Sequence, residues 1–117
     1  MMKAVIHVDE SKKWDLALTN AENIMRYGEQ TGTDFNIEIV ANSEAVKDLR
    51  EDEAREAGRY DTVRDLALDT VKFTACRNAL ASAGIRESTL IPFVEVVPSG
   101  AVELIKKQHE GFAYIKP

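Results

Sequence analysis

Only one of the 117 residues is cysteine, so no disulfide can form within the chain. No CxxC pair or Cys/His cluster stands ready to build a metal site, and no metal is expected. Long apolar runs are missing as well. None approaches the roughly 18 residues that a membrane helix needs, and the run "KAVIHV" behind Met1-Met2 is too short for a secretory signal. These absences set the expectation of a cytoplasmic protein, no membrane partner and a thiol kept reduced. Positive charge is in deficit: fifteen basic against twenty acidic side chains leave a net charge of −5. A nucleic-acid binder carries a basic stripe that displaces counterions. Here Lys12-Lys13 and Lys106-Lys107 are isolated pairs on helical faces, so nucleic acid is not an expected partner. Neither GxGxxG nor GxxxxGK[ST] occurs, and glycines 28, 32, 58, 84, 100 and 111 all fall near expected helix ends. No nucleotide cofactor, and no cofactor of any other kind, is expected.

What is present is a core. Apolar residues make up 44% of the chain, enough for a single domain spanning residues 1–117. The pattern alternates between short apolar runs and 3.6-residue periodicity. "KAVIHV" (3–8) predicts a first strand. Trp14, Ala17, Leu18, Ala21, Met25 and Gly28 then trace one stripe of a helix over about 11–30. "FNIEIV" (35–40) predicts the second strand, and the charged stretch 43–57 a helix broken at Gly58. Val63, Leu66 and Ala67 add a further helical turn or two. "VKFTA" (71–75) is the third strand, followed by a stripe of Cys76, Ala79, Leu80 and Ala83 that stops at Gly84. "FVEVV" (93–97) is the fourth strand. Ser99 is placed to cap the next helix, whose expected inner face is Ala101, Leu104, Ile105 and Gln108. "FAYI" (112–115) closes the chain as a fifth strand. Such alternation predicts an α/β fold with a largely parallel sheet, right-handed crossovers and helices on both faces.

In an open parallel sheet, ligands bind beyond the carboxyl ends of the strands. The loops expected there are Asp9-Glu10-Ser11, Ala41-Asn42-Ser43, Ala75-Cys76-Arg77-Asn78 and Pro98-Ser99-Gly100. Cys76 is the candidate nucleophile, with Asn42, Arg77, Asn78 and Ser99 as candidate substrate-binding residues. A helix N-terminus favours an anion, and the thiolate is the reactive form of cysteine. Arg77 would add to this if it turned inward. The same cysteine also falls on an apolar stripe, and free cysteine is among the most buried residue types. Junction and stripe pull in opposite directions, and both readings of Cys76 stand open on these grounds. His7, inside the first strand and without an assignable carboxylate or serine partner, reads as a core histidine. Trp14 reads as core or subunit contact, and His109 as a helix C-terminal residue.

The segments "KAVIHVDES", "IEIVANSEAVKDL", "FTACRNALASAGI" and "VVPSGAVELIKKQHEGFAYIKP" together resemble the DsrE/DsrF-like family of small sulfur-metabolism proteins, which includes YchN-like members. The cysteine after the third strand, with a short helix ending in "GI", is the most telling piece. The resemblance implies a three-layer α/β/α sandwich with a five-stranded, mainly parallel sheet, assembled as trimers or hexamers. It also implies that Cys76 accepts a persulfide sulfur from a donor protein and passes it to an acceptor. The alternative is a non-catalytic oligomeric module that binds a small ligand or a protein, with Cys76 packed in the core.

Overall fold

The computed structural model describes all residues, 1–117. Its strands are β1 (Met2–Val8), β2 (Phe35–Ala41), β3 (Lys72–Cys76), β4 (Glu95–Val97) and β5 (Ala113–Ile115). They form one sheet in the order β4-β3-β2-β1-β5, with every neighbouring pair parallel. The helices are α1 (Trp14–Thr31), α2 (Glu51–Glu56), α3 (Tyr60–Leu68), α4 (Arg77–Ala83) and α5 (Gly100–His109), and a 3-10 stretch covers Ser43–Leu49. The expected α/β sandwich with five parallel strands is the observed one, and the element order matches.

The two faces of the sheet are unequally covered. The first three connections all step the same way across the sheet, so right-handed crossovers put α1 to α4 on one face. Their buried residues share a cluster with Ile6, Val8, Ile37, Ile39, Phe73 and Ala75. Only the last connection runs back across the sheet, and it carries α5 alone over the other face. There Val5 and Val40 pack under Leu104 and Phe112. Because successive side chains of a strand alternate, this second face also receives His7, Glu38, Thr74 and Tyr114.

The α1 stripe behaves as its spacing predicts: Trp14, Ala17, Leu18, Ala21 and Gly28 are buried, and Met25 is half-buried. The Trp14 indole N–H donates to Ala45 O at 3.0 Å, and its ring stacks on Phe73 with centroids 6.5 Å apart. The charged stretch after β2 is not one helix. Arg50 is extended, with φ −66° and ψ 138°, and separates the 3-10 turns from α2. β4 is shorter than "FVEVV" suggests, beginning only at Glu95.

The inner face expected for the last helix is corrected. Leu104 is buried, but Ala101, Ile105 and Gln108 are exposed. Residues 100, 103, 104 and 107 turn inward instead, the i, i+3, i+4, i+7 positions counted from Gly100. The physical reason is the Glu38 carboxyl beneath the helix, which draws the Lys107 ammonium to the sheet side. No helix is long and apolar enough to cross a membrane.

Trp14 is 1% exposed and ties α1 to both β3 and the 3-10 stretch. Trp14→Ala is expected to lower the unfolding free energy by about 3–5 kcal/mol, read from urea denaturation.

Candidate functional site

At the carboxyl edge of the sheet, β3 passes directly into α4, and Cys76 is both the last strand residue and the helix N-cap. Its extended backbone (φ −72°, ψ 117°) turns the side chain back over the first helical turn. There Sγ accepts the Ala79 N–H at 3.4 Å, satisfying one of the unpaired donors of the helix start. Gly84, at φ +67°, closes the helix seven residues later in a left-handed conformation that a side chain would strain.

The sulfur is not open. Cys76 is 6% exposed, and none of the five surface cavities is lined by it. Part of its cover comes from the start of α5. A methyl group built on Gly100 would stand 3.2 Å from Cys76 Cβ and 3.0 Å from Asn42 Cβ. Only a glycine lets the helix backbone come this close to both strands.

The other candidate residues are distributed differently from expectation. Asn42 lies beside the cysteine: β2 and β3 pair through Ala41 and Ala75, and residues 42 and 76 are the next on each strand. Arg77 does not turn inward. Its Nε donates to Glu87 Oε2 at 2.9 Å on the exposed side of α4, so its charge is spent away from the sulfur. Asn78 is exposed on the same helix. Ser99 caps α5, its Oγ accepting the Val102 N–H at 3.3 Å. The Asp9 carboxyl, also on this edge, is held below its ordinary range by its hydrogen bond to Lys116, at 2.9 Å. No group of three or more His, Cys, Asp or Glu side chains is placed to share one metal ion.

Two features escaped the sequence reading. The first is at His7, which is half-buried rather than sealed in the core. Its Nδ1 lies 2.6 Å from the Tyr114 hydroxyl and its Nε2 2.9 Å from Asn42 Oδ1. The Tyr114 partner is 107 residues away, and no spacing rule could have found it. The second is Glu38, 2% exposed under α5. Thr74 Oγ1 donates to its Oε2 at 3.1 Å, with Lys107 Nζ 3.7 Å and Lys72 Nζ 4.0 Å from Oε1. Burial pushes the Glu38 carboxyl up from 4.5 to about 7, and the neighbouring Glu103 carboxylate reinforces the shift against the pull of the two lysines. A visible signal existed here: an acid between two isoleucines in a strand whose faces should both be covered.

Comparisons with known proteins agree with this architecture. The model of the DsrE/DsrF-like family matches residues 2–117. A protein of unknown function from Methanobacterium thermoautotrophicum is 33% identical, with each chain covered over 100% of its length and a TM-score of 0.86. A conserved protein of unknown function from Bacteroides thetaiotaomicron is 15% identical, covering 98% of this chain and 94% of its own. Its TM-score of 0.73 shows the shared fold. No curated protein matches the chain.

Gly100→Ala is expected to destabilise the fold by about 1–3 kcal/mol, because the atoms it meets sit next to strand backbone and cannot swing aside; urea midpoints measure this. The raised Glu38 carboxyl makes a second expectation. Its stabilising contribution is complete below pH 4.5, where the group is protonated in folded and unfolded chains alike. It is lost as pH rises through about 7, because ionisation is then harder in the folded state. Between those limits the wild type should lose on the order of 3 kcal/mol relative to Glu38→Gln, read as the difference between the two proteins' denaturation curves at each pH.

Proposed function

This chain belongs to the DsrE/DsrF-like family, which is linked to sulfur metabolism, and from that premise we propose that it is a sulfur carrier with Cys76 as the acceptor. The observation that carries the reading is the place of the one sulfur. It sits at a strand-to-helix junction on the carboxyl edge of a parallel sheet, as hydrogen-bond acceptor for the first turn of α4. Ligands of open α/β sheets gather at that edge, and the thiolate is the form of cysteine that reacts.

The chemistry needs no second cysteine in the chain. The Cys76 thiolate attacks the outer sulfur of a donor persulfide, R–S–SH. The new Sγ–S bond forms as the donor S–S bond breaks, and the donor leaves as the thiolate R–S⁻ with the bonding electron pair. The transferred sulfur keeps its proton, giving Cys76–S–SH. An acceptor thiolate then attacks that outer sulfur and Cys76 departs as a thiolate, so the donor is reduced, the acceptor is oxidised to a persulfide, and no outside oxidant or reductant is needed. Arg77 has no part in this reading, being paired with Glu87. The start of α5 lies against this residue, with the point where a Gly100 Cβ would stand 3.2 Å from Cys76 Cβ.

A second reading rests on burial. At 6% exposure and inside the larger apolar cluster, Cys76 also suits a packed core residue in a binding module without catalysis. One experiment separates the two. The folded protein is treated with inorganic polysulfide and weighed intact, and its native rate of alkylation by iodoacetamide is recorded in parallel. The carrier reading expects a gain of one sulfur atom at Cys76, removed by excess thiol and absent in Cys76→Ser. No gain of sulfur, with alkylation only after unfolding, leaves the core reading standing.

A further inference from the structure

On the α5 side of the sheet, side chains from four adjacent strands form one row at the carboxyl edge. Tyr114 from β5 meets His7 on β1, and His7 meets Asn42 at the end of β2. Asn42 in turn stands level with Cys76 at the end of β3. The Asn42 backbone is fixed, because its N–H still donates to Val8 O at 3.1 Å. The donor pattern along the row follows from valence. An amide oxygen only accepts, so His7 Nε2 carries the proton and donates to Asn42 Oδ1. When the ring carries that one proton, Nδ1 accepts from the Tyr114 hydroxyl.

With Oδ1 engaged on His7, the amide NH2 of Asn42 is directed to the other side. Nδ2 lies 3.6 Å from the point where a Gly100 Cβ would stand, and Cys76 Cβ lies 3.2 Å from the same point. No hydrogen bond within the protein uses those N–H groups. We propose that His7 and Tyr114 are positioning residues, locking the Asn42 amide so that its N–H donors meet the terminal sulfur carried on Cys76. The inference rests on the sulfur-carrier reading and deepens it. The terminal sulfur of a persulfide is anionic when ionised and accepts hydrogen bonds. A donor already oriented stabilises such a charge without rearranging when it forms. Since Arg77 is committed to Glu87, the nearest donor on this row is the neutral amide. The phenol and imidazole hold that amide against rotation, which would otherwise exchange its oxygen for its nitrogen.

The test compares wild type with Tyr114→Phe, His7→Ala, His7→Gln and Asn42→Asp. Each is loaded with inorganic polysulfide, and sulfur uptake and its discharge to cyanide are followed over time. Asn42→Asp, which keeps the shape but loses the donors, should slow uptake by about tenfold or more, the effect of one hydrogen bond to a charged group. Tyr114→Phe and His7→Ala should slow it in the same direction with unchanged melting temperatures, and His7→Gln, which retains an N–H donor for Oδ1, should recover part of the rate. In 15N spectra the Asn42 side-chain amide should shift on loading in the wild type and lose that shift in His7→Ala. Wild-type uptake with equal rates in all four variants overturns this inference and leaves the carrier reading intact. A wild type that takes up no sulfur overturns both.

Discussion

The approach of α5 to the sheet at Gly100 is the constraint on which the second face depends. One residue without a side chain allows a helix backbone to lie within contact of the Cβ atoms of Asn42 and Cys76. With the helix start held this close, Leu104 covers Val5 and Val40 while Lys107 comes down over Glu38. The same approach also covers one side of Cys76 at its Cβ. A larger residue at position 100 would lift the helix start, and burial of the cysteine and sealing of the acid would loosen together.

The two faces solve different physical problems. Under α1 to α4 the packing is apolar, closed by Trp14 against Phe73, and gains most of the hydrophobic free energy of the fold. Under α5 a polar row and an acidic cluster cross the sheet within one layer. Burying Glu38 is unfavourable by itself, and the fold offsets this with the Thr74 hydroxyl and two ammonium groups. Lys107 illustrates the balance. Burial alone would lower its affinity for a proton, yet the hydrogen bond to Glu110 and the charges of Glu38 and Glu103 hold it above the ordinary ammonium range. A face that carries such groups under a single helix is suited to chemistry more than to maximal stability, which is the sense in which the carrier reading fits the architecture.

Much of the fold was legible because it rests on local rules. The Trp14 stripe, the Ser99 cap and the punctuation at Gly58 and Gly84 are decided within one or two turns of chain, and each stands where the pattern places it. The inner face of α5 does not follow apolarity. Ile105 is apolar and exposed, whereas Lys107 is charged and turned inward. Its orientation is set by an acid 69 positions away on another strand, which no window along the chain contains. The surroundings of His7 are equally non-local. Its partners are 35 and 107 residues distant and meet it only because β2 and β5 flank β1.

The sequence by itself determined the alternation of strands and helices, the parallel sheet and the place of Cys76 at a strand-to-helix junction. These follow from periodicity and turn residues, which act over a few neighbours. Tertiary structure alone decided how far that sulfur is covered, which residues stand beside it and where Arg77 spends its charge. Those outcomes depend on strand order and on the angle at which one helix docks, and both are settled by packing between segments far apart in the chain.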